Sequence, residues 1–101
     1  MDMEMTCMMI ISNVGMARSC YIEAIDKAEE GKIEEAQALV EEGNKYYVEG
    51  HHTHLGMIQQ EAAGEDVKVC MLLIHAEDQL MSAETFQILA EKFINLAKHN
   101  K

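Results

Sequence analysis

His75 and Asp78 stand three residues apart in the run Leu72-Leu73-Ile74-His75-Ala76-Glu77-Asp78-Gln79-Leu80-Met81. An imidazole titrates near pH ~6.5, so at neutral pH it is mostly uncharged and keeps a lone pair on one ring nitrogen. A carboxylate one turn away can bond the other nitrogen and leave the lone pair for a phosphoryl group, a proton or a metal. Wound as a helix, the run separates into faces. Leu72, Leu73, Ala76, Leu80 and Ala83 make an apolar stripe, His75 and Asp78 lie together at its edge, Gln79 is adjacent, and Glu77 points away. A ring and a carboxylate at the rim of a core do nothing evident for folding. Function is therefore sought here first, against the plainer alternative of a core histidine satisfied by a backbone or side-chain partner.

Two other polar groups could contribute. His51 and His54 are spaced to share a helical face, with His52 between them. With a carboxylate such as Asp78 they would make a metal pair; otherwise they are a polar patch near a subunit boundary. No H-E-x-x-H or other recognised metal spacing occurs. Gln59, Gln60 and Glu61 sit near the end of a helical pattern, where amides can be merely solvated or can donate to an anion on the next helix. An antiparallel pairing centred on Glu65 brings Gln59 level with Met71, and His54 and Leu55 level with His75, so His54 is the better-placed polar neighbour.

The elements that must carry these groups are three long helical patterns. The first runs from about Met5 to about Glu30. Its row Ile11, Val14, Tyr21, Ile25 and Ala28 contains one polar member, Arg18, and Gly31 is its stop. Thr6 is a candidate cap. The second runs from about Ile33 to about Ala63, with Ile33, Ala36, Leu39, Val40, Tyr47, Leu55 and Ile58 mostly on one side. Gly43 and Gly50 share a face, and each costs roughly 1 kcal/mol against alanine, which close approach of a neighbouring backbone would explain. The third runs from about Val67 to about Lys98, with a stripe that begins at Val69 and extends through Phe86, Leu89, Ala90, Phe93, Leu96 and Ala97. Lys92, Lys98 and Lys101 complement its negative pole. Short breaks force an up-down-up, antiparallel, all-α three-helix bundle spanning residues 1–101 as one domain.

Met71, Ile74, Met81 and Ile88 fall outside the third stripe, in the same row as Asp78. Such an apolar row marks an interface, so a homo-oligomer with the third helix near its centre is expected. In a symmetric trimer one Asp78 per chain approaches the axis. Like charges about 4 Å apart repel by roughly 4 kcal/mol at an effective dielectric of about 20, so a divalent cation with oxygen ligands is the natural remedy. The alternative is a carboxylate that serves only His75.

Composition narrows the partners. Eight basic against 18 acidic side chains give a formal charge of −10, which disfavours nucleic acid and anionic membranes. Three separated cysteines without C-x-x-C indicate reduced thiols and a cytoplasmic setting. The apolar run from Cys7 to Ala17 is too short to cross a bilayer, and no secretory signal is evident, so no membrane insertion is expected.

With these residues in view, the chain resembles the enzyme IIA component of the lactose/cellobiose (chitobiose) class of the bacterial phosphoenolpyruvate-dependent sugar phosphotransferase system. The resemblance lies in Leu72 to Met81 (Leu-Leu-Ile-His-Ala-Glu-Asp-Gln-Leu-Met), in Ile10 to Ser19 (Ile-Ile-Ser-Asn-Val-Gly-Met-Ala-Arg-Ser), and in Thr53 to Ala62 (Thr-His-Leu-Gly-Met-Ile-Gln-Gln-Glu-Ala). It implies a homotrimer of three-helix bundles in which His75 is phosphorylated on Nε2 by the histidine-containing phosphocarrier protein. The group then passes to a cysteine of the IIB component, and through it serves the membrane IIC permease in uptake of a β-linked disaccharide. It also implies that Asp78 is the axial metal ligand, with Mg2+ the expected cation, one per trimer. On this reading His54, Gln59 and Gln79 are candidate donors to the phosphoryl group. Two rivals stay open: a non-catalytic helical interaction bundle, and a metal protein using His51, His54 and His75.

Overall fold

The computed structural model describes residues 2–100, which leaves Lys101 outside the described residues. Three helices follow in order: α1 (Met3–Glu29), α2 (Ile33–Ala62) and α3 (Met71–His99), with no strand among the described residues. They run up, down and up in a rod of 54 × 20 × 19 Å, so α1 and α3 are parallel and α2 opposes both.

The ends differ from the sequence pattern in two places. Asp2, not Thr6, caps α1: its Oδ1 accepts from the Met5 backbone N–H at 3.1 Å. Thr6 lies inside the helix and donates its hydroxyl to the Asp2 carbonyl at 2.8 Å. The third helix begins at Met71, four residues later than Val67. Cys70 is extended, with φ −145° and ψ 167°, and its side chain makes no capping bond. After Gly64, whose φ of 88° turns the chain out of α2, the backbone must cross from one helix axis to the next. β-Branched Val67 and Val69 suit that extended crossing, and Val67 and Cys70 pack on the core as it is made.

The core has two layers. One holds Cys7, Ile10, Val14, Met57, Leu73, Ala76, Leu80 and Ala83. The other holds Ala17, Tyr21, Ala24, Ala28, Ala36, Val40, Ala90 and Ile94. Helix α1 packs along both partners, and α2 and α3 touch each other less. Gly43 and Gly50 do face a close neighbour, α1, but the atoms that crowd them are side chains and not the backbone expected. A Cβ at Gly43 would stand 2.7 Å from the Tyr21 ring, and one at Gly50 2.7 Å from a Val14 methyl. Asn44 ties the three helices together where they meet: its Oδ1 accepts from Tyr21 Oη at 2.7 Å and from Gln87 Nε2 at 2.6 Å.

Met71, Ile74, Met81 and Ile88 are exposed, as their separation from the stripe predicts. Leu89, Phe93 and Leu96, expected in the stripe, are exposed too, as are Leu55 and Ile58 of α2. Two neighbouring helices cover only part of the circumference of α3, and these side chains lie beyond that arc.

Candidate functional site

Successive residues are about 100° apart around a helix, and the burial along α3 follows that rule. Ala76, Ala83, Ala90 and Ile94 are buried and define the inward direction. Glu77, Glu84 and Gln87 fall on the flank facing α2, Gln79 and Phe86 on the flank facing α1. His75 belongs to the α1 flank, about 40° and one turn from Gln79. Asp78 lies about 60° further out, among the exposed apolar side chains.

The α2 flank is occupied by paired groups. His54 Nε2–H donates to Glu77 Oε2 at 2.8 Å, Tyr47 Oη–H to Glu84 Oε2 at 3.5 Å, and Gln87 Nε2–H to Asn44 Oδ1 at 2.6 Å. All three pairs are centred between Glu65 and Asp66, the register expected for an antiparallel hairpin. The level of His54 is thus as anticipated, but its partner is not. Glu77, expected to point away from the bundle, faces α2 and takes His54. His75, two residues earlier, is turned about 200° from Glu77, and an antiparallel neighbour meets only one flank. Gln59 is exposed, and its side chain makes no hydrogen bond among the described residues.

The α1 flank is different. His75 is exposed and makes no hydrogen bond among the described residues; the bond expected from Asp78 is not formed, and Asp78 is exposed as well. Gln79 is held from α1: Arg18 Nη1–H donates to Gln79 Oε1 at 3.2 Å. The Arg18 guanidinium lies over the Phe86 ring, 5.3 Å from its centroid, and its Nε is buried without an acceptor. In the sequence Arg18 stands out as the odd polar member of an apolar row, within the Ile10 to Ser19 stretch, and no site role attaches to it there. That anomaly is the available signal, because a guanidinium drawn into an apolar row needs an acceptor and a surface to lie over.

The remaining titratable groups offer less. Burial pushes the Cys7 and Cys20 thiols up from their ordinary values, so neither is an activated thiolate. His51 stacks on Tyr47 with ring centroids 5.9 Å apart, His54 is engaged by Glu77, and His75 is on the far flank. Among the described residues no three His, Cys, Asp or Glu side chains of one chain gather around a metal position. The His51–His54–His75 metal reading is corrected on that ground. A carboxylate is a suitable hard ligand for a divalent cation, but Asp78 would need copies of itself from other chains to complete a site.

Comparison with known proteins gives consistent findings. A family model described as the lactose/cellobiose-specific IIA subunit of the PTS system matches residues 5–98. The chain is 37% identical to the PTS oligo-beta-mannoside-specific EIIA component of Bacillus subtilis, over 94% of this chain and 86% of that one. It is 34% identical to the PTS lactose-specific EIIA component of Staphylococcus epidermidis, over 88% and 86%. The crystal structure of a PTS cellobiose-specific enzyme IIA from Bacillus anthracis superposes with a TM-score of 0.92 at 40% identity, covering 97% of this chain and 90% of that one.

Proposed function

The chain belongs to the lactose/cellobiose-specific IIA family of the sugar phosphotransferase system, and on that premise we propose that it carries a phosphoryl group on His75 Nε2. The observation that supports this most is the contrast between its two α3-level histidines: His54 is bonded to a carboxylate, whereas the His75 ring is exposed and unbonded among the described residues. A ring that must meet two protein partners in turn has to be reachable and has to keep a lone pair.

In the proposed cycle the Nε2 lone pair of His75 attacks phosphorus on the phosphohistidine of the phosphocarrier protein. The donor P–N bond breaks and its electron pair stays on the donor imidazole. In the second step a cysteine thiolate of the IIB component attacks the same phosphorus, a P–S bond forms, and the pair of the breaking P–N bond returns to His75. The IIB component passes the group on for uptake of a β-linked disaccharide through the membrane IIC permease, with this chain working in the cytoplasm. No helix of the described residues is long and apolar enough to cross a membrane. The backbone of α3 supplies a rigid mount, and Gln79 supplies an amide donor one turn away.

We further propose a homotrimer about the outer face of α3. Met71, Ile74, Met81 and Ile88 are each half or more exposed in the single chain, and burying that row on copies of itself supplies the driving force. Three Asp78 carboxylates would then converge, and oxygen donors of that kind would hold a divalent cation such as Mg2+, which neutralises their repulsion.

Incubation with phosphoenolpyruvate, enzyme I and the phosphocarrier protein tests the carrier reading. One acid-labile, base-stable phosphate per chain is expected, and none in His75→Gln. A chain that takes up no phosphate, or takes it up with Gln at position 75, ends the assignment.

A further inference from the structure

Arg18 of α1 is drawn into the α1–α3 contact, and three features of it need a common explanation. Its guanidinium carbon lies over the Phe86 ring, 5.3 Å from the centroid, its Nη1 donates to Gln79 Oε1 at 3.2 Å, and its Nε is buried with no acceptor among the described residues. A buried donor left unpaired costs free energy, so this placement is not simply the cheapest way to fill a seam. A leucine would fill it without leaving an orphan.

The direction of the two side chains supplies the explanation. On an α-helix a long side chain leans toward the N-terminus and covers the turn before its own Cα. Because α1 and α3 are parallel, Arg18 and Gln79 lean the same way, toward the turn that carries His75. Gln79 has one carbonyl oxygen and one NH2 group. Arg18 donates only, so it can take only the oxygen. Fixing the oxygen on the α1 side turns the NH2 to the opposite side, and it makes no hydrogen bond among the described residues.

We propose that Arg18 is a positioning residue for phosphoryl transfer: seated on Phe86, it holds the Gln79 carbonyl so that the Gln79 amide NH2 is presented to a phosphoryl group on His75. The inference rests on the reading of His75 as the phosphorylated residue. Arg18 touches no reacting atom. It removes the rotational freedom of the Gln79 amide before the phosphoryl group arrives, so less ordering is required when the hydrogen bond forms.

The test is a double-mutant cycle on the equilibrium of phosphoryl exchange with the phosphocarrier protein, using Arg18→Met, Gln79→Met and the double variant, each checked for helicity and Tm. Each single change is expected to shift the equilibrium about fivefold toward the donor, the size of one hydrogen bond. The double variant is expected to shift it no further. Gln79→Met leaves the Arg18–Phe86 stack in place, so it reports on the pair even where Arg18→Met loosens the fold. The side-chain amide resonance of Gln79 is expected to move on phosphorylation in the unmutated chain and to stay still in Arg18→Met. Arg18→Lys, which keeps the charge but not the planar fork, is expected to behave like Arg18→Met. Multiplying effects in the double variant, full rescue by lysine, or an unchanged equilibrium in Arg18→Met with only Tm reduced would each overturn the proposal. If the unmutated chain takes up no phosphate on His75, the carrier reading itself is what has failed.

Discussion

The two flanks of α3 carry similar side chains and treat them in opposite ways. On the α2 flank every polar group named above has a partner: His54 with Glu77, Tyr47 with Glu84, Gln87 with Asn44. On the α1 flank the imidazole of His75 is left without one, and the nearest polar link, Arg18 to Gln79, leaves an amide NH2 unused. A histidine bonded to a carboxylate serves the packing, since its donor is committed. A histidine on an exposed flank keeps the lone pair that group transfer needs. The difference between a structural and a chemical imidazole here is which neighbour its flank faces, not its residue type.

The largest test of this contrast is to remove each histidine in turn. His75→Gln is expected to abolish phosphate uptake. His54→Leu is expected to leave it within about threefold, measured with the same reconstituted donor system. Loss of uptake in His54→Leu would mean that a second copy of the chain brings His54 to the ring, and the contrast between flanks would break.

Next in size is the three-helix junction. Asn44→Ala strips the acceptor from both Tyr21 and Gln87, and the Tyr21 hydroxyl sits on a side chain with no exposed surface. A loss of about 2 kcal/mol is expected, lowering Tm by roughly 10 °C, with phosphate uptake unchanged at temperatures where the bundle is folded. An Asn44→Ala variant that melts normally would show that the closed flank contributes little.

A pH measurement sharpens the same point. Burial, with Tyr47 the next cause, pushes the Tyr21 phenol well above its ordinary value of 10, and burial with Glu84 pushes Tyr47 up as well. A raised folded-state pKa means that the unfolded chain loses these protons first. The stability is therefore whole below pH ~10 and falls as pH rises through and beyond that value. Urea melts from pH 8 to 11 are expected to show this decline, smaller in Tyr21→Phe.

The smallest effect concerns the histidine pair. Glu77→Gln keeps the shape and removes the charge of a partly exposed contact, so less than about 1 kcal/mol should be lost, and less still in high salt. A larger loss by chemical denaturation would mean that the pair is more shielded from solvent than the single chain suggests.

Much of this molecule was written locally. Periodicity located three helices, the glycines at 31 and 64 marked their ends, and the hairpin register followed from the length of the second break. Gly43 and Gly50 announced close packing, because a glycine inside a helix is tolerated where a Cβ has no room, and α1 fills that room. The start of α3 is not legible in the sequence, because apolar Val67 and Val69 fit a helical period as well as an extended crossing, and only the gap to be bridged chooses between them. Leu89, Phe93 and Leu96 were misplaced for a related reason: a repeat counts apolar residues but does not say how wide an arc two neighbours can cover.

The sequence by itself determined that there are three helices, that His75 and Asp78 lie outside the most buried row, and that the His-Ala-Glu-Asp string belongs to a phosphotransferase IIA chain. The first two are properties of spacing along one chain; the third is a likeness to known proteins that the string carries. Only the tertiary structure decided that Glu77, not His75, receives His54, and that Arg18 reaches across to Gln79. Both depend on the angle at which one helix presents itself to the next, and a rotation of one residue, about 100°, is enough to exchange a committed imidazole for a free one.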